Sequence, residues 1–278
     1  MFTMTLRKTS IAAAAAVVLA LTATACGGGD SGSDDGITIG VKVDQPGLGL
    51  KTPDGEYVGF DVDVATYVAK ELGYKESDIT WKEAPSADRE NLIANGDVDL
   101  IAATYSITPE RKERVSFAGP YMLAHQDLLV RKDYTDVKKQ SDLDDSSLKL
   151  CSVTGSTSAA NVQKDFAPKA DLQEYGTYSQ CLTGLQNENV DALTTDDSIL
   201  AGYAAQKEHQ GKFKLLGLNL SDEPYGIGLK KGDTELQKKV NKAIEKMVDD
   251  GSWKKFADKH FGPADYDYGK APEITEGS

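Results

Sequence analysis

The chain has 278 residues, of which 27% are charged and 40% hydrophobic, a composition typical of globular proteins with one large or two ordinary domains. Its 44 acidic residues outnumber its 31 basic residues, and the net charge of -13 argues against nucleic acid as a partner. No repeat is visible at the periods of solenoid proteins.

The N-terminal segment resembles a bacterial lipoprotein signal. The basic pair at 7–8 precedes an apolar run over 11–21, and small residues then lead to Cys26. The apolar run is shorter than a bilayer-spanning helix requires, so a transmembrane helix is the weaker interpretation, whereas plain secretion stays open.

We therefore expect a signal peptide over 1–25, a lipid on Cys26 and a flexible tether over 26–36. These features predict a protein anchored through its lipid to the outer face of the cell membrane. Removal of 1–25 deletes two cations, so the mature chain has 29 basic and 44 acidic residues and a net charge of -15.

Strands and helices alternate along the rest of the chain. Apolar runs predict strands over 37–41, 79–81, 100–102, 148–153, 172–175, 192–194, 213–216 and 227–229. Helical spacing predicts helices over 60–72, 88–95, 158–166, 179–187, 198–206 and 236–248. Strands that alternate with helices of this length form βαβ units with a parallel sheet, so the predicted fold class is α/β.

Two segments depart from this alternation. The run 128–130 is extended and no helix precedes it, which is typical of a segment that crosses between two lobes. The segment 263–278 lacks periodicity, so we expect a loose C-terminal tail. In the last long helix, four residues are expected to line one apolar face: Leu236, Val240, Ile244 and Val248.

Cys151 and Cys181 are the two cysteines that remain when Cys26 carries lipid. An even pair in an exported chain predicts a disulfide bond, which would stabilise the fold by about 3–4 kcal/mol. A metal site is the alternative, but no histidine lies near either cysteine in the sequence. We expect neither a metal ion nor a cofactor.

The segment 99–111 contains the first indication of a ligand site. It begins as a buried strand, and Thr108-Pro109 then predicts a helix N-cap followed by Pro at the first helical position. Arg111 falls in the first helical turn, where a cation opposes the helix dipole unless an anion binds beside it. A surface Arg in a charged run is the alternative.

Five short motifs occur in a defined order along the chain: GFDVDVA over 59–65, ITPER over 107–111, FAGPY over 117–121, VDA over 190–192 and EPYGIG over 223–228. In this order they resemble the landmarks of polar amino-acid-binding proteins of ABC importers, within the extracellular solute-binding protein family 3. Each motif alone is weak evidence, whereas five at compatible distances are strong. The resemblance covers nearly all of 37–262 and is to the glutamate-binding lipoprotein type.

The resemblance implies a type II periplasmic-binding-protein fold, in which two crossing strands join two lobes. Each lobe is a mainly parallel sheet flanked by helices, and ligand binds in the cleft between the lobes. Lobe 1 would hold 37–124 and 222–262, lobe 2 would hold 125–221, and the tail would be 263–278. The implied partners are a small amino acid and an ABC transporter permease, and we expect a monomer.

The same resemblance implies the ligand contacts. Arg111 would bind the α-carboxylate of the amino acid, and the backbone N–H of Thr157, after Ser156, would also donate to it. Asp196 would bind the ammonium group. The remaining contacts would be the carbonyl of Ala103, the hydroxyl of Ser106 and the side chain of Thr104.

Lys42 predicts the identity of the ligand. It occupies the position at which similar proteins for basic amino acids carry Asp, so a cation there predicts an acidic ligand, glutamate before aspartate. If Lys42 instead faces solvent, glutamine or asparagine is the alternative ligand. The segment 45–49 lacks the aromatic residue that many relatives stack on the ligand, and Tyr57 or Tyr225 would have to replace it.

Three further side chains have an open interpretation. His125, at the first crossing, is either a donor to a side-chain carboxylate of the ligand or a structural residue. Asp61 and Asp63 suggest a catalytic pair, but their position at a helix start favours helix capping. An enzyme similar to the dehydratases of this fold is therefore the lower-ranked alternative, and we expect a binding protein without catalytic residues.

Overall fold

The computed structural model describes residues 36–277. Its strands are β1 (Ile37–Val41), β2 (Asp44–Gln45), β3 (Gly49–Lys51), β4 (Tyr57–Val58), β5 (Ile79–Glu83), β6 (Leu100–Ile101), β7 (Ser116–Arg131), β8 (Lys149–Val153), β9 (Asp171–Tyr175), β10 (Ala192–Asp196), β11 (Phe213–Leu215) and β12 (Asp222–Leu229). Its helices are α1 (Phe60–Glu71), α2 (Arg89–Ala94), α3 (Pro109–Lys112), α4 (Thr157–Asn161), α5 (Tyr178–Gln186), α6 (Asp197–Ala204), α7 (Thr234–Asp249) and α8 (Ser252–Phe261).

The predicted signal peptide over 1–25, the lipidation site Cys26 and all but the last residue of the predicted tether lie outside these described residues. In the described part of the chain, no helix combines the length and the apolarity that crossing a membrane requires.

The strands form one mixed sheet of nine strands in the order β5-β1-β6-β12-β7-β10-β8-β9, with β11 also paired to β7. Parallel pairs lie towards both ends, where β1 contacts β5 and β6, and β8 contacts β9 and β10. The central pairs that involve β7 and β12 are antiparallel. This α/β architecture confirms the predicted fold class, and the short strands β2, β3 and β4 form a separate sheet.

The long strand β7 connects the two halves of the sheet. Its residues 116–125 pair with β12, whereas 126–131 pair with β10 and β11. The returning chain lies beside it, since the Gln126 N–H donates to the Ser221 carbonyl at 2.9 Å and the Leu220 N–H to the Gln126 carbonyl at 2.8 Å. The extended crossing predicted around 128–130 is therefore part of β7.

The predicted lobe boundaries, after 124 and before 222, stay a prediction, because residues 36–277 lie within one compact unit. We keep the names lobe 1 and lobe 2 for the predicted ranges. Lobe 1 then contains the half of the sheet with β1, β5, β6 and β12, and lobe 2 contains the half with β8, β9, β10 and β11.

The apolar faces of the helices pack on this sheet. In α1, Phe60, Val64 and Val68 are fully buried, as their four-residue spacing predicts. In α7 the prediction was wrong at its last position, because Val248 is 39% exposed and Met247 is buried instead. A strict four-residue repeat turns away from a helix face, since 3.6 residues make one turn.

The C-terminal tail is packed, contrary to the expectation of a loose segment. The rings of Tyr266 and Tyr268 lie 5.5 Å and 5.8 Å from the ring of Phe261 on α8. The backbone N–H groups of Thr275 and Glu276 both donate to the Gly119 carbonyl, at 3.0 Å and 3.1 Å. The tail lacks helical or strand periodicity, yet its aromatic rings still bury apolar surface on lobe 1.

The predicted disulfide is present and joins Cys151 on β8 to Cys181 on α5, with their Cα atoms 5.5 Å apart. The bond closes a sequence separation of 30 residues within lobe 2. It therefore ties α5, which reaches the border with lobe 1, to the centre of its own sheet.

Candidate functional site

A small cavity lies between the two lobes. Its lining residues are Ser86, Arg89, Thr104 and Arg111 from lobe 1 and Ser156, Thr157, Tyr178, Asp196 and Ile199 from lobe 2. The free volume between these side chains is only about 10 Å³, room for about one water molecule and far below the roughly 300–1,000 Å³ of pockets that hold drug-sized ligands. The lobes therefore meet closely around these side chains and must part to admit a ligand, and the structure brings together five of the nine predicted contacts.

Arg111 is fixed at the start of α3 by the local sequence. Thr108 caps this helix by accepting the Arg111 backbone N–H at 3.2 Å, and Pro109 is its first residue, as predicted. The Arg111 guanidinium donates to the Ser106 carbonyl at 2.8 Å and to the Gly155 carbonyl at 3.2 Å. Since Gly155 belongs to lobe 2, this side chain already links the lobes.

Ser106 and Ala103 lie directly beside the cavity without lining it. Ser106 is 2% exposed and its carbonyl holds Arg111, while its backbone pairs with that of Tyr225. The Ala103 carbonyl accepts the Thr104 hydroxyl at 2.7 Å. Both residues therefore support lining side chains, and their direct contact with a ligand stays a prediction.

A second buried cation, Arg89, was missed by the sequence analysis. It is 2% exposed, its Nη2 donates to Ser86 Oγ at 3.1 Å, and its Nε has no hydrogen-bond partner among the described residues. The centre of the Tyr105 ring lies 4.9 Å from the guanidinium of Arg89 and 5.0 Å from that of Arg111. Burial and then Arg111 lower the pKa of Arg89.

The signal that identified Arg111 was also present at Arg89. Arg89 is the first residue of α2, so it too is a cation at the positive end of a helix dipole. No role was predicted for Arg89 from the sequence, because no family motif covers position 89.

Asp61 holds Thr104 in an unusual backbone conformation. Asp61 is fully buried and accepts the Thr104 backbone N–H at 2.8 Å and the Tyr121 hydroxyl at 2.7 Å. Thr104 has φ 47°, in the left-handed region that non-glycine residues seldom occupy. Burial raises the pKa of Asp61 to about 6, although both hydrogen bonds oppose this shift.

The expectation that Asp61 and Asp63 cap the helix was therefore wrong. The N-cap of α1 is Gly59, and no side chain caps it. Asp63 instead lies within hydrogen-bond distance of Lys259 Nζ and His260 Nε2, at 2.8 Å and 2.7 Å.

Asp196 is the lone carboxylate that lines the cavity. It ends β10, is 3% exposed, and its Oδ2 accepts the Tyr225 hydroxyl at 2.6 Å. Burial first and the nearby Glu223 second raise the pKa of Asp196 well above its usual range. A cation bound in the cavity would lower that pKa again and stabilise the ionised carboxylate.

The start of α4 forms the opposite wall of the cavity. Ser156 is the N-cap, with its hydroxyl accepting the Ala159 N–H at 3.0 Å, and Thr157 is the first helical residue. The Thr157 hydroxyl donates to Glu223 Oε2 of lobe 1 at 2.8 Å. Gly155 makes this approach possible, because a Cβ atom there would lie 2.7 Å from the Cα of Ala87 in lobe 1.

Lys42 is buried, so the alternative of a solvent-facing lysine was wrong. It is 3% exposed and its Nζ lies 3.8 Å from Asp44 Oδ1. Burial lowers the pKa of Lys42 to about 8; Asp44 opposes this shift and Arg89 adds to it. Lys42 is not itself among the lining residues, but Arg89, whose charge helps to lower the pKa of Lys42, is one of them.

His125 is not among the residues that line the cavity. Its ring nitrogens lie 3.6 Å from Asp197 and 3.4 Å from Asp222, and its side chain is 35% exposed. These contacts belong to the crossing between the lobes. A direct contact of His125 with ligand stays a prediction, and the geometry favours the structural alternative.

The aromatic residue of the cavity is Tyr178, the first residue of α5 in lobe 2. Of the two residues considered as a replacement, Tyr57 stacks on Trp81 with ring centres 5.9 Å apart. Tyr225 bonds Asp196 but does not line the cavity. Tyr178 had no sequence signal, because its place depends on how the lobes meet.

The charges of the cavity are separated by lobe. Two arginines approach from lobe 1, and one carboxylate approaches from lobe 2. In residues 36–277, no three His, Cys, Asp or Glu side chains are grouped so that they could hold a metal ion. The arrangement can bind a small molecule with separate negative and positive groups.

Comparisons with known proteins show the family of the chain. Residues 37–263 match the profile of the bacterial extracellular solute-binding proteins, family 3. The chain is 48% identical to the glutamate-binding protein GluB of Corynebacterium efficiens, over 94% of this chain and 92% of that protein. It is 41% identical to the ABC transporter glutamine-binding protein GlnH of Bacillus subtilis, over 79% of each chain.

A solved structure supports the fold. The chain is similar to an ancestral arginine-binding protein bound to arginine, with a TM-score of 0.74 and 34% sequence identity. The match covers 81% of this chain and 98% of that chain. The two-lobe fold implied by the sequence motifs is thereby confirmed.

Substitution of Asp61 tests its role at the base of the site. Because its folded pKa of about 6 exceeds the unfolded value of 3.8, native Asp61 destabilises the fold increasingly as pH rises through that window. Asp61→Asn removes this cost, so the stability of the variant relative to the native protein should rise between pH 4 and pH 7 by on the order of 2–3 kcal/mol. Urea unfolding at both pH values measures it.

Asp63→Asn is the matched control. Burial opposes the shift, but hydrogen bonds from His260 and Lys259 lower the pKa of Asp63, so this variant should lose relative stability as pH rises. Equal behaviour of the two variants would contradict the role assigned to Asp61.

Proposed function

The chain belongs to the bacterial extracellular solute-binding proteins of family 3, and from this premise we propose that it binds an acidic amino acid, glutamate before aspartate. The ligand occupies the cavity between the lobes and passes to the permease of an ABC transporter. Proteins of this family act outside the cytoplasm, so the amino acid is captured there.

The observation that carries the proposal is the separation of charge across the cavity. Arg111 would bind the α-carboxylate with guanidinium N–H groups that do not donate to Ser106 and Gly155, and the N-terminus of α4 at Thr157 would add a backbone donor. Asp196 is the anion available for an ammonium group, and burial and the nearby Glu223 raise its pKa, a shift that a bound cation would reverse. One amino acid satisfies both sides at once.

The side-chain end of the ligand is assigned from the remaining cations. Arg89 lines the cavity with its Nε unpartnered, and the charge of Arg89 helps to lower the pKa of the buried Lys42. Two buried like charges repel each other, and an anion between them relieves that cost. A side-chain carboxylate meets this need, and the similarity to a glutamate-binding protein supports the same choice.

Glutamine is the second candidate ligand. Asp44 Oδ1 is buried beside Lys42 and has no hydrogen-bond partner among the described residues, so it could accept an amide N–H. The similarity to a glutamine-binding protein supports this alternative. It differs from the first candidate only in the group at the end of the ligand.

An enzyme on the same fold is the third and weakest candidate. A general acid or base must reach the substrate, and His125 lies on the crossing rather than in the lining of the cavity. Chemical recovery of unchanged ligand after long incubation with the protein separates binding from turnover.

Thermal unfolding in the presence of single amino acids tests the proposed ligand. We expect glutamate to raise the melting temperature most and aspartate less, because a ligand at 100 times its Kd adds about 2.7 kcal/mol to stability. Stabilisation by glutamine but not by glutamate would support the second candidate instead. No stabilisation by any polar amino acid would contradict the proposed function.

Lys42→Met tests the origin of specificity. Loss of a charged hydrogen bond is worth about 1.5–3 kcal/mol, so we expect glutamate affinity to fall roughly 10- to 150-fold while glutamine affinity changes little. Isothermal titration calorimetry measures both. The control Lys82→Met removes a lysine that pairs with Asp97 at the surface of β5, and it should leave both affinities unchanged.

Burial disfavours the charged form of Lys42, and its pKa of about 8 in the folded protein lies below the unfolded pKa of 10.5. The charge of Lys42 therefore destabilises the fold, so the ligand-free Lys42→Met protein should be at least as stable as the native protein. Unchanged glutamate affinity would show that Lys42 has a structural role only.

The membrane anchor and the monomeric state are part of the same proposal. Cys26 would carry the lipid, and the chain would act as a monomer, as light scattering can check. In a bacterial host, the native protein should incorporate labelled fatty acid and sediment with membranes, and Cys26→Ser should do neither. Release of the native protein into the medium without label would favour plain secretion.

A further inference from the structure

The C-terminal tail contacts both lobes, although the family match ends at residue 263. We propose that Tyr266 in this tail is a positioning residue that fastens lobe 1 to lobe 2 in the closed arrangement and so sets the affinity for ligand. This inference rests on the proposed function, since affinity for an amino acid is its main readout.

The tail is fixed to lobe 1 along most of its described length. The rings of Tyr266 and Tyr268 pack on Phe261, and Tyr268 also lies 5.7 Å from the ring of Trp253. At its far end, the Glu276 carbonyl accepts Asn241 Nδ2 at 2.6 Å. The tail therefore moves as part of lobe 1.

The far end of the tail also reaches the helix that carries Arg111. The Glu276 carboxylate lies 3.1 Å from Nζ of Lys112 on α3, and 13% of the Glu276 side chain is exposed. The tail thus also contacts α3, the helix of lobe 1 that carries Arg111.

Tyr266 extends from this support to lobe 2. Its hydroxyl donates to Asp197 Oδ1 at 2.7 Å, and Asp197 follows Asp196 directly in the chain. The same oxygen accepts the Ser198 N–H at 2.8 Å and the His125 N–H at 3.0 Å. One carboxylate oxygen therefore joins the tail, the start of α6 and the crossing strand β7.

Burial first and Asp197 second raise the pKa of Tyr266, so the phenol keeps its proton and remains a donor. Hydrogen bonds to a charged acceptor are stronger than those between neutral groups. Beside this contact, residues 263–267 of the tail line one groove together with Ala201 and Ala204 of α6. The tail and α6 belong to different lobes, so no short connection in the chain holds these two segments together.

Opening of the cleft moves α6 with lobe 2 and leaves the tail on lobe 1, so it breaks the Tyr266–Asp197 hydrogen bond. The bond adds to the stability of the closed arrangement without touching the ligand. Since apparent affinity scales with the population of the binding-competent state, its loss weakens binding. It acts mainly on dissociation, because the closed complex must open to release ligand.

Tyr266→Phe tests the inference with a matched control in the same tail. Tyr268→Phe also removes one tail hydroxyl, but that hydroxyl bonds Asp258 and Lys254, which lie on α8 within lobe 1. We expect Tyr266→Phe to weaken glutamate binding about tenfold through faster dissociation, and Tyr268→Phe to leave binding unchanged. Calorimetry and stopped-flow dissociation measure both.

Equal affinities and dissociation rates of native protein and Tyr266→Phe would overturn the inference. An equal loss in both tyrosine variants would also overturn it, since the effect would then come from tail packing. In an Asp197→Asn background, Tyr266→Phe should have less than its full effect, and an undiminished effect would contradict the assigned bond.

A second readout is independent of the ligand. With spin labels on one exposed residue of each lobe, the ligand-free Tyr266→Phe protein should show a larger fraction of long distances than the native protein, and an unchanged distribution would contradict the inference. Failure of the native protein to bind any amino acid would instead refute the proposed function and leave this readout valid.

Discussion

The separation of charge between the lobes is the constraint on which the site depends. Arg89 and Arg111 are buried on one side of the cavity, and Asp196 is buried on the other. Buried charges are costly unless they find partners of opposite sign. Glu90 lies 3.6 Å from Arg111 Nε and offsets part of the cost on the first side, whereas Arg89 Nε has no hydrogen-bond partner among the described residues. A ligand with both signs of charge lowers the remaining cost on both sides and favours closure around itself.

Arg111 and Asp196, two charged groups of the site, are each oriented by a residue that does not itself line the cavity. Thr108 caps the short helix that begins beside Arg111, and Tyr225 donates to Asp196. Asp61 holds the backbone of Thr104 at a strained φ. These supports are assembled before a ligand arrives, and such preorganisation lowers the ordering cost of binding. Strain and buried carboxylates are tolerated here because the surrounding lobe is well packed.

Much of the fold could be predicted from the sequence, because periodicity and helix signals are local. Most strands of the central sheet and the cap at Thr108 follow from neighbouring residues, and the disulfide follows from the even pair of cysteines that remains when Cys26 carries lipid. The site was predicted where a family motif or a helix start marked it. Arg89 carried the same helix-start signal as Arg111, but without a motif it was overlooked.

The rest could not be predicted, because it depends on contacts between distant segments. Tyr178 enters the cavity only because lobe 2 meets lobe 1, and Asp61 fixes Thr104 across 43 positions of sequence. The packing of the tail on α8 depends on aromatic residues without period, and pattern analysis does not register them. Burial of Lys42 likewise follows from tertiary structure, as lysines are exposed in most proteins.

A crystal structure of the protein with glutamate is the most direct test of the central claim. The account predicts the α-carboxylate on Arg111, the ammonium group on Asp196 and the side-chain carboxylate towards Arg89 and Lys42. A glutamate bound outside this cavity, or bound in it with its ammonium group away from Asp196, would contradict the account.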